Sequence, residues 1–498
     1  MPGRLDFQFN FATTPAVRRT QDQPMRILLL GNFRGNRAPA QTLAERHIQR
    51  IDIDNFDQVL AASAPQLHLQ QPDCRIEFSE LEDFHPDQLY RTLPVFAELR
   101  QLRKQLRDPA TAAQAIAQMG RPEPTTTTAT DASAAAPTET AAGSLFEQLL
   151  GGTPAPPASA PTAAQAGTPL VDAFIRNIIA EHIVTAPDTS AYLNALDHAH
   201  SDSMRAILHN PTWQALEANW RGLWWLVSEL VTDGELSLHL LDLDQTELDA
   251  DLAAAGDDPG QSALYQRLTE RSGADSQPWS LIVALYDWPA TPEAVLQLGA
   301  LTAISRAAGG TLLSAASPAF AGASDFAPTT LTADPATIPA EFQQTWDSLR
   351  GSELAAWLGL ALPRVLLRLP YGPADPIDSF TFDEQSAIPE HTRFLWGNPA
   401  LACALVLGRE FLQQGWEVAQ LSQDTQLDID AMPAYSYKLD GEAQLQACAE
   451  TYLAETTALQ ISQQGLIPLL SFRHRNAVRV GGLHSCALNR HALLAGHR

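Results

Sequence analysis

A glycine-flanked loop near the N-terminus is the first candidate for chemistry in this chain of 498 residues. Met25–Leu30 is a continuous apolar run, which predicts a buried strand, and Gly31-Asn32-Phe33-Arg34-Gly35 follows it as a turn. Glycines after a buried strand are typical of loops that bind phosphate through backbone N–H groups. Such a loop also needs a Gly-Lys-Ser/Thr sequence, which is missing here, so nucleotide binding is not predicted.

Two carboxylates, Asp242 and Asp244, have the residue type and the proximity of a catalytic acid–base pair. The sequence that follows them is also acidic, at Asp249, Asp251, Asp257 and Asp258. Because a run of like charges is usually solvated, we expect this stretch to form an acidic surface.

Histidines could bind a metal ion at two places. His198 and His200 are two positions apart on a predicted helix, so they point about 200° apart and cannot share one ion, and we expect both at the surface. The last part of the chain contains His474, His484, Cys486, His491 and His497. These spacings match no familiar zinc pattern, and the arginines among them make a basic end that favours contact between subunits.

Other catalytic signatures are missing from the text. There is no Gly-x-Ser-x-Gly elbow and no His-Glu-x-x-His motif. No catalytic, cofactor-binding or metal-binding residue is therefore predicted, and we expect a structural protein and not an enzyme. An enzyme with an unrecognised site and a ligand-binding or scaffold module are the alternatives.

Charge and composition exclude further classes of function. The formal net charge is -25, which argues against nucleic acid as a partner because phosphate binding needs a cationic face. The four cysteines are far apart in sequence, as expected for buried thiols in a reducing compartment. No window approaches the ~20 apolar residues of a membrane helix, so we expect a cytoplasmic protein without membrane insertion.

The first residues have the pattern of a strand with one aromatic face. Leu5, Phe7, Phe9 and Phe11 alternate with polar residues before a break at Thr13-Thr14-Pro15. This segment is either the first strand of the following sheet or an arm that adds to the sheet edge of a neighbouring subunit.

An Ala/Thr/Pro-rich stretch from about 109 to 168 divides the chain, because it has too few large apolar residues to fold by itself. Within it, Ser144–Gly151 predicts a short amphipathic helix capped by Ser144 and Glu147. Its apolar face consists of Leu145, Phe146, Leu149 and Leu150. Such a helix either docks on a partner or folds back on its own domain.

Helices and strands alternate on both sides of this tether, which predicts an α/β fold with two α/β units, 25–108 and 169–498, after an arm at 1–24. The first unit has a helix after Asp54 or Asn55 as cap. In the second unit, Leu170–Ile183, Tyr192–His209 and Pro211–Leu230 read as helices, followed by strands at Leu236–Leu243 and Trp279–Tyr286. The tryptophans of the third helix are typical of a core.

The segment Pro363–Pro373 predicts a short strand, with Val365, Leu367 and Leu369 on one face, that ends in a Pro-Tyr-Gly-Pro turn. It resembles the large (TssC/VipB-like) subunit of the contractile sheath of the bacterial type VI secretion system. The resemblance extends to Asn210–Leu223, Phe394–Asn398, Gly465–Leu469 and His484–Cys486. The signature residues are Arg364, Arg368, Pro370, Tyr371, Gly372, Trp396, Gly397 and Asn398.

The first unit resembles the small (TssB/VipA-like) sheath subunit. The similar segments are Ile27–Gly31, Ile51–Asp57, Ile76–Phe78, Leu81–Asp87 and Leu93–Leu106. The chain is thus identified as both sheath subunits fused in one polypeptide. The resemblance implies that the N-terminal strand is an arm given to adjacent protomers, and that Leu145–Leu150 corresponds to the helix that a AAA+ sheath-recycling unfoldase recognises.

The resemblance also implies the function. We expect copies of the chain, or other sheath subunits, to assemble around an inner tube protein on a baseplate and to eject the tube by contraction, without a cofactor. The large-subunit match stops near Cys486, before the family's C-terminal linker strand. The expectation is therefore either a sheath with reduced connectivity or a sheath-like cap, terminator or baseplate adaptor.

Overall fold

A computed structural model describes residues 23–108, 111–112, 115–116, 189–270, 277–326, 337–385, 388–421, 425 and 427–494. The aromatic arm at 5–11, the amphipathic helix at 144–150 and the predicted helix at 170–183 lie outside the described residues. The described chain divides into two compact units. One contains residues up to 93 and from 203 onward, and the other contains residues 94–202.

Fifteen strands are present in the described residues. In chain order they are β1 (Met25–Gly31), β2 (Gln49–Ile51), β3 (Gln66–Gln70), β4 (Asp73–Glu77), β5 (Leu236–Asp242), β6 (Leu281–Ala284), β7 (Thr311–Ala315), β8 (Leu358–Leu362), β9 (Val365–Leu366), β10 (Trp396–Gly397), β11 (Leu427–Asp430), β12 (Ser436–Leu439), β13 (Glu442–Leu445), β14 (Ile467–Phe472) and β15 (Arg475–Val480).

Nine of these strands form the central sheet of the first unit, in the order β11-β15-β14-β8-β7-β6-β1-β5-β2. The six strands from β14 to β5 run parallel, whereas β2, β15 and β11 pair antiparallel at the two ends. Strands β9 and β10, β12 and β13, and β3 and β4 form three separate two-stranded ribbons. The α/β class predicted from the sequence is confirmed.

The first strand of the chain lies inside this sheet, between strands that follow it by about two hundred residues. Met25–Gly31 pairs along its whole length with Leu236–Asp242, and Ile27–Leu30 pairs on the other side with Leu281–Ala284. All seven residues of β1 are buried, as expected for a strand with neighbours on both sides, and the buried Arg26 interrupts the apolar run predicted for Met25–Leu30. The predicted units 25–108 and 169–498 therefore contribute strands to one sheet.

Eleven α-helices accompany the strands in the described residues. They are α1 (Phe56–Ser63), α2 (Pro86–Thr92), α3 (Val95–Arg107), α4 (Thr189–Leu208), α5 (Pro211–Glu229), α6 (Gln245–Ala255), α7 (Ala263–Thr269), α8 (Pro292–Ala307), α9 (Ala340–Arg350), α10 (Pro399–Gln414) and α11 (Glu455–Gln463). None of the described helices has the length and hydropathy needed to cross a bilayer.

The large core contains side chains from β1, β5, β6, β7 and β8 together with the apolar faces of α6 to α9. Trp213 and Trp220 of α5 are fully buried, as predicted for a core helix, but Trp224 on the same helix is 37% exposed. Short turns of 3-10 helix connect several elements, including Leu81–Phe84 before α2 and His391–Arg393 before β10.

The compact unit formed by residues 94–202, which differs from the units predicted from the sequence, contains α3 and the N-terminal part of α4. Arg103 of α3 donates to Asp197 of α4 at 3.2 Å. His198 is exposed, but His200 is fully buried and its ring lies 6.3 Å from that of Phe96. The prediction that both histidines lie at the surface is therefore wrong for His200. Burial also lowers its pKa, although Asp197 opposes that shift.

Candidate functional site

The carboxyl ends of the parallel strands are where doubly wound α/β proteins bind ligands, at the point where strand order reverses. Here that point lies between β1 and β6. Asn219 and Trp220 donate hydrogen bonds of 3.0 Å to the carbonyls of Asn32 and Phe33, just after β1. Asn398 donates to the carbonyl of Tyr286, just after β6, at 3.3 Å. Side chains of the protein thus already donate to three backbone carbonyls at this point of the sheet.

The loop after β1 is closed by its own hydrogen bonds. The Asn32 side chain accepts from the Gly35 N–H and donates to the Gly35 carbonyl, each at 2.9 Å. Gly35 has a φ of +74°, and a Cβ there would lie 2.3 Å from the carbonyl oxygen of Gln66, so only glycine fits. The loop therefore has a structural explanation for its glycine and for its asparagine.

The carboxylates predicted to be solvated lie instead around a buried arginine. The Arg34 guanidinium binds Asp242 at 2.9 Å, Asp244 and Glu247, and its side chain is 5% exposed. Arg46 binds the other oxygen of Glu247 at 2.9 Å. Burial favours the neutral form of Glu247, but Arg46 and Arg34 outweigh it and lower its pKa. The prediction of a solvated face is wrong for Asp242 and Asp244, because sequence spacing does not show an arginine about two hundred positions away.

The signature residue Arg368 lies at the centre of a second buried ionic cluster. It donates to Glu217 of α5 at 2.8 Å and to both oxygens of Glu384, at 2.8 and 3.1 Å. Glu217 is fully buried, Glu384 is 1% exposed and Arg368 is 8% exposed. One buried cation thus joins two carboxylates from distant segments.

Further donors complete this cluster. Glu217 also accepts from Arg221 at 2.7 Å and from the Trp213 indole at 3.0 Å. The Tyr371 backbone N–H donates to Glu384 at 2.8 Å, and the Tyr371 ring lies 4.4 Å from the Arg368 guanidinium carbon. Each charged group therefore has several partners, as buried ions require.

The electrostatics of the cluster favour its ionised state. Burial would raise the pKa of Glu384, but Arg368 and His209 overcome this and lower it to about 2. The pKa of Glu217 is also lowered, because Arg368 and Arg221 outweigh burial. Burial raises the pKa of Tyr371 to about 12, so its phenol stays protonated. Neither the two carboxyl groups nor the phenol has a pKa near neutral pH, where a general acid or base works best.

Arg364 makes a third ionic contact, on the other side of β9. Its backbone N–H and its guanidinium both donate to Glu450, at 2.8 Å and at 2.7 and 3.0 Å. His391 lies 3.2 Å from the same carboxylate and stacks at 5.2 Å on Trp396. Arg364 and Arg368, on either side of β9, thus bind three buried glutamates: Glu450, Glu217 and Glu384.

The remaining signature residues shape the same region. Trp396 and Gly397 pair with Leu366 and Val365, and a Cβ on Gly397 would lie 2.6 Å from the Leu367 side chain. Asn398 caps α10 by accepting from the Ala400 N–H at 3.0 Å. Pro370 and Gly372 are buried in the turn after Leu369. The structure brings all eight signature residues together, as structural contacts.

The segment that resembles the small sheath subunit contacts this region. Asp87 at the start of α2 accepts from the backbone N–H groups of Asp378 and Ser379, at 3.0 and 2.9 Å. The Phe84 ring packs at 5.5 Å against Trp213, and the His85 ring lies 5.1 Å from that of Tyr371. Motifs from the two parts of the sequence therefore meet in one packed site.

The C-terminal histidines and cysteine that the structure describes, His474, His484, Cys486 and His491, have other surroundings, and His497 lies outside the described residues. His484 and Cys486 are buried in the first unit, and Arg350 donates to the Cys486 carbonyl at 3.0 Å. Within the described residues, no group of three or more His, Cys, Asp or Glu side chains is placed to hold a metal ion. The four cysteines, Cys74, Cys403, Cys448 and Cys486, are free and buried, as predicted.

Comparison with known proteins identifies the family. Residues 190–487 match VipB, described as EvpB/VC_A0108, tail sheath N-terminal domain. The chain belongs to this tail sheath family. Residues 2–121 match the type VI secretion system family described as VipA, VC_A0107 or Hcp2, so the small-subunit (TssB) and large-subunit (TssC) types occur in one chain, as predicted.

A curated relative supports the same assignment. The type VI secretion system sheath protein TssC1 of Pseudomonas aeruginosa is 29% identical over 282 residues, which are 55% of this chain. The chain spans 57% of the length of that relative. The resemblance predicted from the Pro363–Pro373 signature is confirmed.

Sequence reasoning missed the acidic partners of the signature arginines. Glu217 lies inside the motif Asn210–Leu223, but its spacing from Arg368 gives no sign of contact. Glu384 and Glu450 lie outside every motif that was singled out. A lone glutamate next to a tryptophan on an apolar helix face is the one local signal for Glu217, because an acidic group there needs a buried partner.

Proposed function

We propose that this chain is a structural subunit of a type VI secretion contractile sheath, which assembles around an inner tube and drives the tube outward by contraction. The observation that carries the proposal is the position of β1. A strand from the small-subunit match lies between β5 and β6 of the large-subunit match, so one chain supplies the body that two sheath subunits would form.

The proposal assigns no catalytic role. The signature residues that distinguish this chain are engaged in ion pairs, a helix cap and strand pairing. The ionised state of Glu217 and Glu384 supports a scaffold role, because their carboxylates already accept from Arg368. Work would come instead from conformational free energy, released when an extended lattice repacks into a contracted one.

Partners follow from the same proposal. Copies of this chain or other sheath subunits would form the lattice, the tube protein would lie inside it, and a baseplate would start it. A AAA+ unfoldase would recycle contracted sheaths through residues 144–150. All of these partners would be met in the bacterial cytoplasm.

Electron microscopy tests the proposal. The purified chain is imaged alone and mixed with the ordinary sheath subunits of the same system. Long tubes would support a role in the bulk sheath. Single rings or labelling of tube ends would support the alternative of a cap, terminator or baseplate adaptor. Light scattering that shows a strict monomer at high concentration, with no incorporation into tubes, would refute both.

A deletion separates the arm from the body. Removing residues 1–14 deletes the aromatic segment Leu5–Phe11 and leaves β1 intact. We expect the truncated chain to stay folded and to lose assembly. If tubes form equally well without these residues, the arm has no part in the lattice.

A further inference from the structure

Two adjoining surface depressions of this acidic protein are lined by arginines. One, of about 310 Å³, is lined by Arg34, Arg37, Arg46 and His47, and the other, of about 440 Å³, is lined by Arg37 and Arg75. We call the two together the arginine depression. Asp242 and Glu77 are the carboxylates that line it. Arginines are thus concentrated here although the chain has a formal net charge of -25, and carboxylates balance those that are paired: Asp242, Asp244 and Glu247 bind Arg34 and Arg46, and Glu77 binds Arg75.

The arginines of the depression differ in whether carboxylates already bind them. Arg34 and Arg46 are buried and bind carboxylates of the β5–α6 region. Arg75 pairs with Glu77 at 3.2 Å, but both side chains are about two-thirds exposed. Arg37 is exposed and joins the two depressions, and within the described residues its guanidinium donates to one carbonyl, that of Ala64, at 3.3 Å. The Arg37 charge therefore has no carboxylate partner within the described part of the chain.

An acidic projection lies elsewhere on the same unit. Strands β12 and β13 pair with each other and with none of the other described strands. Their connecting turn is Asp440-Gly441, with both residues at positive φ, which is the geometry of a tight hairpin. Asp440 and Glu442 are exposed at the tip, and neither carboxylate pairs with another side chain of the described residues.

The base of this hairpin is fixed to the signature site. The Tyr435 ring packs at 5.5 Å against Phe394, and the Tyr435 carbonyl accepts from the Gln446 N–H at 2.8 Å. A two-stranded ribbon is only marginally stable by itself in water. The contacts at the base therefore keep this ribbon folded, and its exposed acidic tip can contact basic side chains of another molecule.

We propose that the hairpin tip of one copy of this chain docks in the arginine depression of the next copy. The carboxylates of Asp440 and Glu442 would meet Arg37 and Arg75, and Leu439, which is 38% exposed, would add apolar contact. Charge complementarity selects a copy of the chain as the occupant, since an assembling protein of this acidity presents carboxylates at high local concentration. The inference rests on the proposed function and gives the lattice a specific contact.

The geometry of such a contact suits a sheath. Tip and depression are different surfaces of one chain, so the contact is heterologous. A heterologous contact leaves one free tip and one free depression at the ends of every chain of copies. Growth then continues into a ring or a helix, whereas two copies that docked reciprocally would stop at a dimer, which the sheath role does not allow.

Charge reversal in the full-length chain tests the contact. The tip variant is Asp440→Arg with Glu442→Arg, and the depression variant is Arg37→Glu with Arg75→Glu. Each variant would place like charges opposite each other, and we expect the concentration for half-maximal association to rise at least about tenfold. Combining all four substitutions in one chain restores opposite charges and should return association to within roughly threefold of the wild type.

Controls keep the test specific. Asp257→Arg with Glu417→Arg reverses two other exposed acidic residues and changes the net charge as much as the tip variant does. It should associate like the wild type. Circular dichroism and thermal unfolding check that every variant folds, and added salt should weaken wild-type association, since exposed ion pairs are screened.

Sedimentation velocity measures pairwise association and electron microscopy measures tubes, so the two proposals can fail separately. Tubes that form normally from the tip and depression variants would overturn the hairpin contact and leave the sheath role standing. Loss of association in both variants without recovery in the four-site chain would also overturn it. Salt-sensitive association that follows the charge pattern, without tubes, would support the contact and refute the sheath role. A wild type that never associates would overturn both.

Discussion

Replacing Arg368 with leucine should destabilise the first unit by an amount that no exposed ion pair can match. The substitution removes the one cation that bridges Glu217 and Glu384. Both carboxylates are buried, so each would lose a charged donor without gaining water. The structure therefore predicts the penalty of an uncompensated buried charge.

The magnitude follows from the contacts. Removing one partner of a buried ion pair costs ~3–5 kcal/mol. Glu217 would keep the donors Arg221 and Trp213, whereas Glu384 would keep the Tyr371 N–H as its donor, with the His209 ring nitrogen 3.5 Å away. These remaining donors place the expected loss near the lower end of that range, about 3 kcal/mol. Arg368→Lys keeps the charge but loses the two parallel bonds to Glu384, so its cost should be smaller.

Urea unfolding of the full-length chain, followed by tryptophan fluorescence, measures the difference in free energy of unfolding. The control is Arg409→Leu, which breaks an exposed pair with Glu229 and should cost less than about 1 kcal/mol. If Arg368→Leu and Arg409→Leu lower stability equally, the buried cluster does not stabilise the fold as argued. An Arg368→Leu chain that is as stable as wild type would have the same meaning.

Gly397→Ala should destabilise the protein by ~1–3 kcal/mol, because the added Cβ would lie 2.6 Å from the Leu367 side chain. Gly234→Ala is the control and should be neutral, because no atom lies within 4 Å of the added Cβ. Thermal unfolding of the two variants makes the comparison. Burial lowers the pKa of His239 from 6.5 to about 3, so the unfolded chain takes up the proton at a higher pH than the folded chain does. The free energy of unfolding should therefore fall as the pH drops from 6.5 towards 3. Urea titrations should show a smaller fall for His239→Gln, and an equal fall for the variant and the wild type would contradict this prediction. Proteolytic nicking within 117–188 should leave both pieces co-eluting on gel filtration, because β1 lies between β5 and β6, and separation of the pieces would refute this.

Local sequence patterns predicted well those helices and strands whose bounds follow from an apolar run or a capping residue. Met25–Leu30, Leu236–Leu243 and Pro211–Leu230 appear as β1, β5 and α5 within one or two residues. The helix after Asn55 also forms, but the Asn55 side chain does not cap it. Asn55 instead accepts from the Asp52 N–H at 3.0 Å, because a local turn competes for the same oxygen.

Contacts between distant segments could not be predicted in this way. The signature strand was expected to alternate as far as Leu369, but pairing ends at Leu366. Arg368 leaves the strand pattern because Glu217 and Glu384 draw its guanidinium inward. Nothing in the sequence around Arg368 shows either glutamate, so the strand looked longer than it is.

The location of the signature has a consequence for how such a subunit could work. Arg364 and Arg368 bind carboxylates inside one packed unit, and breaking a buried pair costs several kcal/mol. A contraction that opened the Arg364 and Arg368 ion pairs would cost free energy at every subunit. Contraction would therefore keep each body intact and change the contacts between bodies. Under the proposed hairpin contact, the tip is a segment that could rearrange, since Asp440 and Glu442 are exposed and can change partners without exposing the core.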